Sequence, residues 1–84
     1  MTWRVDFTDQ ARADVVGLDT EVSAEITDML LAWMASGPPR ENERVLAGIT
    51  FYESEIAGRY LLGYSTKEDP PAFVVLWPRQ KPGS

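Results

Sequence analysis

The chain contains neither cysteine nor histidine. Without cysteine there is no disulfide, no thiolate metal site and no sulfur nucleophile, and the reducing cytoplasm is the default compartment. Without histidine the Ser-His-Asp and Cys-His arrangements are excluded together with the usual zinc sites. Acid–base work then falls to carboxylates, lysine, arginine or tyrosine. No apolar run approaches the roughly 18 residues of a membrane span. The opening Met1-Thr2-Trp3-Arg4-Val5-Asp6 also lacks the basic-then-apolar layout of a secretory leader. The expectation is a cytoplasmic protein away from the membrane, with no metal and no cofactor.

What is present is 84 residues with a formal charge of −5. That length makes one domain, which hides only about 60–65% of its extended surface on folding. A negative total argues against nonspecific binding of polyanions, because such affinity comes from lysine and arginine displacing counterions. The charge is unevenly spread. Residues 1–55 hold four basic and eleven acidic side chains, whereas residues 56–84 hold four basic (Arg59, Lys67, Arg79, Lys81) and two acidic (Glu68, Asp69). The C-terminal third is locally positive on an acidic body.

Trp3-Arg4-Val5-Asp6-Phe7 alternates apolar and polar residues, the period of a half-buried strand. Thr8 is a fair N-cap for a short helix carrying Ala11, Val15 and Leu18, with Gly17 weakening its last turn. Val22, Ile26, Met29, Leu30, Trp33 and Met34 form one stripe of a second helix. Thr20 or Asp19 starts that helix and Gly37-Pro38-Pro39 ends it. Helices joined so briefly fold back as a hairpin, and the stripe covers the sheet.

Residues 38–48 read as a polar loop, or a loop with one helical turn, that pins Val45 and Leu46 to the core. Ile49 to Ile56 is rich in β-formers, and Ala57-Gly58 offers a tight turn into a strand from Arg59 to Ser65. Tyr60, Leu62 and Tyr64 share one face of that strand, and Arg59, Leu61 and Gly63 the other. A polar turn through Glu68-Asp69-Pro70-Pro71 leads to Ala72-Phe73-Val74-Val75-Leu76-Trp77, apolar throughout as an interior strand is. The expected fold is α+β: a small antiparallel-rich sheet backed by a two-helix hairpin, in the order β-α-α-β-β-β. One domain over residues 1–84 is expected, with residues 79–84 a flexible tail.

The opening strand, the helical hairpin, Val45-Leu46-Ala47-Gly48, Gly58-Arg59-Tyr60 and Phe73-Val74-Val75-Leu76 together resemble the RelE/ParE toxin superfamily of type II toxin–antitoxin systems. The resemblance implies a toxin whose concave sheet face receives a cognate antitoxin or ribosome-bound messenger RNA. Ribonuclease members, the mRNA interferases, cut RNA by attack of the ribose 2′-hydroxyl on the adjacent phosphate. The ParE branch poisons DNA gyrase. By the same resemblance Arg59 corresponds to the basic residue that opens the Gly-Arg-Tyr-Arg strand, and Arg79 or Lys81 to the basic catalytic residue ending the last strand. The chain departs from the pattern in three places. Leu61 replaces the second arginine, Glu55 replaces a basic residue of the preceding strand, and the terminal histidine or tyrosine has no counterpart in Lys81-Pro82-Gly83-Ser84.

Cleavage of this kind needs a base, an acid for the leaving oxygen, and fixed cations for the crowded phosphorane charge. Arg59, Arg79 and Lys81 are the candidate cations, with Glu53, Glu55 or Tyr64 in proton-transfer roles. The alternative is that these are solubilising charges at strand ends. Glu53 and Glu55 lie on one strand face about 7 Å apart, which suits a divalent cation, an acid–base pair or the wet side of an edge strand. Trp3, Trp33 and Trp77 fall in core patterns. Tyr52 and Tyr64 are the aromatics expected to be exposed and, with Glu55, to contact nucleic acid or a partner. Two functions from different classes follow: an mRNA endonuclease, or a non-catalytic binding module on the same fold, either gyrase-directed or an inactive relative holding a partner peptide.

Overall fold

Thr8 fixes the turn out of the first strand, because its hydroxyl accepts a hydrogen bond from the Ala11 amide at 3.1 Å. In the computed structural model, which describes residues 2–82, this cap separates β1 (Arg4–Phe7) from α1 (Asp9–Val16). The second helix, α2 (Thr20–Ser36), buries Val22, Ile26, Leu30 and Trp33 on the anticipated stripe. Asp19 stands at its N-cap position without a side-chain capping bond. Its C-terminal end is secured by Gly37, whose amide donates to the Trp33 carbonyl at 2.7 Å. Gly37 has φ of 88° and lies under the Trp3 indole, so a β-carbon there would be both strained and crowded.

Four more strands follow: β2 (Arg44–Leu46), β3 (Ile49–Ile56), β4 (Tyr60–Glu68) and β5 (Pro71–Gln80). They form one sheet in the order β1-β5-β4-β3-β2. β1 pairs parallel with β5, and the other pairs are antiparallel. The apolar β5 therefore lies inside the sheet, as its composition requires. A register shift between Gly63 and Tyr64 against β5 keeps Tyr64 opposite Val75 and Gly63 opposite Trp77.

The helices cover one face only. Under them lie Tyr52 and Ile56 of β3, Leu62 and Tyr64 of β4, and Phe73 and Val75 of β5. The Trp33 ring anchors this layer, 4.6 Å from the Tyr64 ring and 5.7 Å from Phe73 between centroids. The opposite face of the sheet carries no helix and is open.

Two parts of the chain differ from the sequence expectation. The segment 38–48 contains β2 rather than only loop, and it reverses into β3 through Ala47 and Gly48, both with positive φ (53° and 78°). That pair of left-handed residues is the requirement of a two-residue hairpin turn. Val45 and Leu46 are consequently not pinned to the core. They lie on the outermost strand, 66% and 67% exposed. At the other end β5 runs past its apolar stretch through Arg79 to Gln80, and the Lys81 amide donates to the Arg59 carbonyl at 2.8 Å. Of the segment read as a tail, Gly83 and Ser84 lie outside the described residues.

Truncating Phe73, which is fully buried, to alanine is expected to cost about 3–5 kcal/mol. Leu46→Ala is expected to cost under about 0.5 kcal/mol. Urea unfolding midpoints of the two variants check the assignment of core and rim.

Candidate functional site

Strand alternation in β3 and β4, and the register shift that leaves Leu76 as an extra residue in β5, bring the chemistry to the open face. Glu53 and Glu55 of β3 stand opposite Gly63 and Leu61 of β4, which in turn stand opposite Trp77 and Arg79 of β5. Gly63 is the gap that makes the next contact possible. A β-carbon at this position would fall 2.5–2.9 Å from the Trp77 indole, so only glycine lets the ring lie across β4. From there the Trp77 Nε1–H donates to Glu53 Oε2 at 3.4 Å. Phe51 holds the ring edge-on at 5.0 Å between centroids.

The Arg79 guanidinium closes on the same carboxylate from the other side. Its Nε donates to Glu53 Oε2 at 2.7 Å and its Nη2 to Glu53 Oε1 at 3.1 Å, a two-pronged pairing. Arg44 adds a third cationic contact, Nε to Oε1 at 3.3 Å. The Glu53 side chain is 2% exposed. Hydrogen bonding from Arg79 outweighs the opposing effect of burial, and the carboxyl titrates below the ordinary glutamate value. The same bond raises Arg79 above the usual arginine value. Glu53 is therefore a fixed anion rather than a proton donor near neutral pH.

Beside this cage Lys81 Nζ meets Glu55 Oε2 at 2.7 Å, with both side chains about half exposed (41% and 50%). Arg44, Glu53, Glu55, Arg79 and Lys81 line an open cleft of about 400 Å³. An apolar groove of about 190 Å³ adjoins it, walled by Leu46, Ile49, Phe51, Leu76 and Trp77. Trp77 is the side chain common to the indole contact with Glu53 and to the wall of the groove. Among the described residues no group of three or more aspartates and glutamates is placed to hold a metal ion.

Of the residues singled out from sequence, Arg79, Lys81, Glu53 and Glu55 meet in the cleft. Arg59 does not join them. It sits in the turn after β3, with its guanidinium 5.8 Å above the Tyr60 ring and 3.9 Å from Asp19 at the start of α2. Its backbone alone serves the site, through the bond to Lys81. Tyr52 and Tyr64 correct the expectation of exposed contacts, being 8% and 0% exposed on the helix-covered face. The Tyr64 hydroxyl is committed to the Pro39 carbonyl and to Ser54, and burial raises its pKa. Neither ring can stack a base. Arg44 was missed, hidden in the segment read as loop. Its signal is the short run Arg44-Val45-Leu46 ahead of Ala47-Gly48, a strand-and-turn pattern like Glu55-Ile56 ahead of Ala57-Gly58.

Removing Arg79 leaves Glu53 buried with weaker partners. Arg79→Ala is expected to cost about 1–3 kcal/mol, the penalty of an under-satisfied buried polar group. The pH dependence has a definite sign. Because the folded-state pKa of Glu53 is depressed, its stabilisation is whole above the ordinary glutamate value and is lost as pH falls through the depressed one. Urea unfolding across a pH series is expected to show a constant gap between wild type and Glu53→Gln from about pH 6 to 8 that narrows on acidification.

No protein-family model matches the sequence, and no curated protein does. Among solved structures, a chain from the crystal structure of the archaeal RelE–RelB complex of Pyrococcus horikoshii OT3 is similar. The two superpose with a TM-score of 0.80 over 100% of each chain, at 18% sequence identity. The sheet backed by a helical hairpin, with its open ionic and apolar face, has the RelE-like fold.

Proposed function

We propose that this chain is a RelE-like toxin of a type II toxin–antitoxin pair, acting in the cytoplasm, and that its open sheet face binds protein rather than cutting RNA. The observation that carries this reading is the Glu53 carboxylate seated two-pronged on Arg79, at 2.7 and 3.1 Å. The guanidinium that a phosphate would need is already matched to an anion. Lys81 is likewise engaged by Glu55. The adjoining groove favours a polypeptide, since Leu46 and Ile49 are 67% and 61% exposed on its rim and apolar contact areas of this kind mark partner surfaces. A cognate antitoxin segment is the natural occupant, in keeping with the similar chain having been crystallised in a RelE–RelB complex. DNA gyrase is the target class for a toxin that works by binding.

One observation favours a second reading, a ribosome-dependent mRNA endonuclease. Arg44, Arg79 and Lys81 converge on a single cleft, and a cluster of cations is what phosphorane charge requires. Inducible expression in a bacterium separates the two. The binding reading expects growth arrest without new messenger ends, in the wild type and in whatever arrest remains in Arg79→Ala/Lys81→Ala. DNA breaks would mark gyrase as the target. Messenger cuts that vanish in the double variant would establish the endonuclease instead, and harmless wild-type expression would remove the toxin reading altogether.

A further inference from the structure

Glu53 belongs to a strand face that in a nucleic-acid site would be cationic, yet it is the most buried charged side chain of the cleft. Both of its oxygens are engaged twice. Oε2 receives Arg79 Nε at 2.7 Å and Trp77 Nε1 at 3.4 Å, while Oε1 meets Arg79 Nη2 at 3.1 Å and Arg44 Nε at 3.3 Å. A guanidinium fork offers the same pair of parallel N–H bonds to a carboxylate and to two oxygens of a phosphate. The carboxylate thus stands where a phosphate diester would dock.

We propose that Glu53 is the specificity-determining residue of this cleft, a resident anion that closes Arg79 and Arg44 to phosphodiesters and so reserves the face for a protein ligand. The inference deepens the reading of this face as a partner surface and rests on that reading for its biological sense. Its physical basis is separate. Glu53 is tied to β5 across the intervening β4 by hydrogen bonds from Trp77 and Arg79, so displacing it means breaking all three. Glu55 is the internal contrast. It carries the same charge at the same cleft, but its partner Lys81 is half exposed and water competes for both.

The test is titration of a short fluorescein-labelled single-stranded RNA with the full chain at low ionic strength, followed by anisotropy. Glu53→Gln is expected to raise RNA affinity about tenfold over wild type and to steepen the salt dependence by about one freed cation. Glu55→Gln removes an equal charge and is expected to change affinity by no more than about threefold. Equal gains in the two variants would mean that bulk charge decides and would overturn the proposal. So would a folded Glu53→Gln with wild-type affinity, its fold verified by circular dichroism and thermal melting. If Glu53→Gln does not fold, Glu53→Asp decides: it keeps the charge and the acceptor oxygens but withdraws them from the guanidinium fork, and an RNA affinity equal to wild type in the folded variant would overturn the proposal. None of these titrations depends on growth arrest, so a harmless protein in cells and an unaltered RNA affinity are separate failures.

Discussion

The open face is organised by one buried carboxylate. β3 and β5 are not neighbours, since β4 lies between them, yet Glu53 and Arg79 join them directly across β4. Burying a carboxylate costs several kcal/mol unless its oxygens are met, and here they are met from both sides. The constraint propagates outward. Arg79 must lean toward β3, the Trp77 indole must lie flat to donate, and the residue beneath that ring must be Gly63. Phe51 then has a ring to pack against, and the boundary between the ionic cleft and the apolar groove is drawn at Trp77.

The two faces of the sheet show how a small protein divides its apolar residues. The helix-covered face takes the large side chains Trp33, Tyr64 and Phe73, and it is sealed. Among the described residues no second layer covers the other face. The open face is therefore finished with mixed chemistry. Paired charges satisfy one part of it, while Leu46, Ile49 and Phe51 remain as a groove at the other. Val45, Leu46 and Ile49 sit on the outer hairpin, where a short edge strand limits how much backbone is offered for unwanted pairing.

Much of the fold was legible in the sequence because it rests on local periodicity. The α2 stripe, the Thr8 cap and the apolar run of β5 each announce themselves within a few residues. Turn chemistry was read unevenly. Ala57-Gly58 was recognised between two strong strands, while Ala47-Gly48, with the same dipeptide and the same left-handed geometry, went unread because its leading strand is three residues long. On β3 the site was legible in parity but not in burial, and on β5 the irregularity at Leu76 hid even the parity of Trp77 and Arg79. Alternation places Glu53 and Glu55 on one face, as observed. What buries one and leaves the other wet comes from Trp77 and Arg79, 24 and 26 residues away in sequence. Tyr52 and Tyr64 illustrate the same limit, since their burial is decided by α2 and not by their own strands. Arg59 fails for a local reason. The positive φ values at Ala57 and Gly58 turn the chain just before it, and its side chain meets Asp19 instead of the cleft.

The electrostatics of this arrangement bear on what the face prefers to hold. Affinity for RNA grows with the counterions that protein cations release, and an arginine already neutralised by a buried carboxylate releases few. Exchanging Glu53 for a phosphate would leave a carboxylate stranded against the incoming charge, in a chain that is acidic overall at −5. A polypeptide faces no such exchange. Its apolar side chains can enter the groove beside Trp77 while its polar groups meet the exposed edges of Arg44, Lys81 and Glu55, and the Glu53–Arg79 pair stays intact beneath as part of the platform. A surface that kept its buried ion pair while binding an apolar partner would select by shape and desolvation, and the pair that ties β3 to β5 would then set what the sheet could recognise.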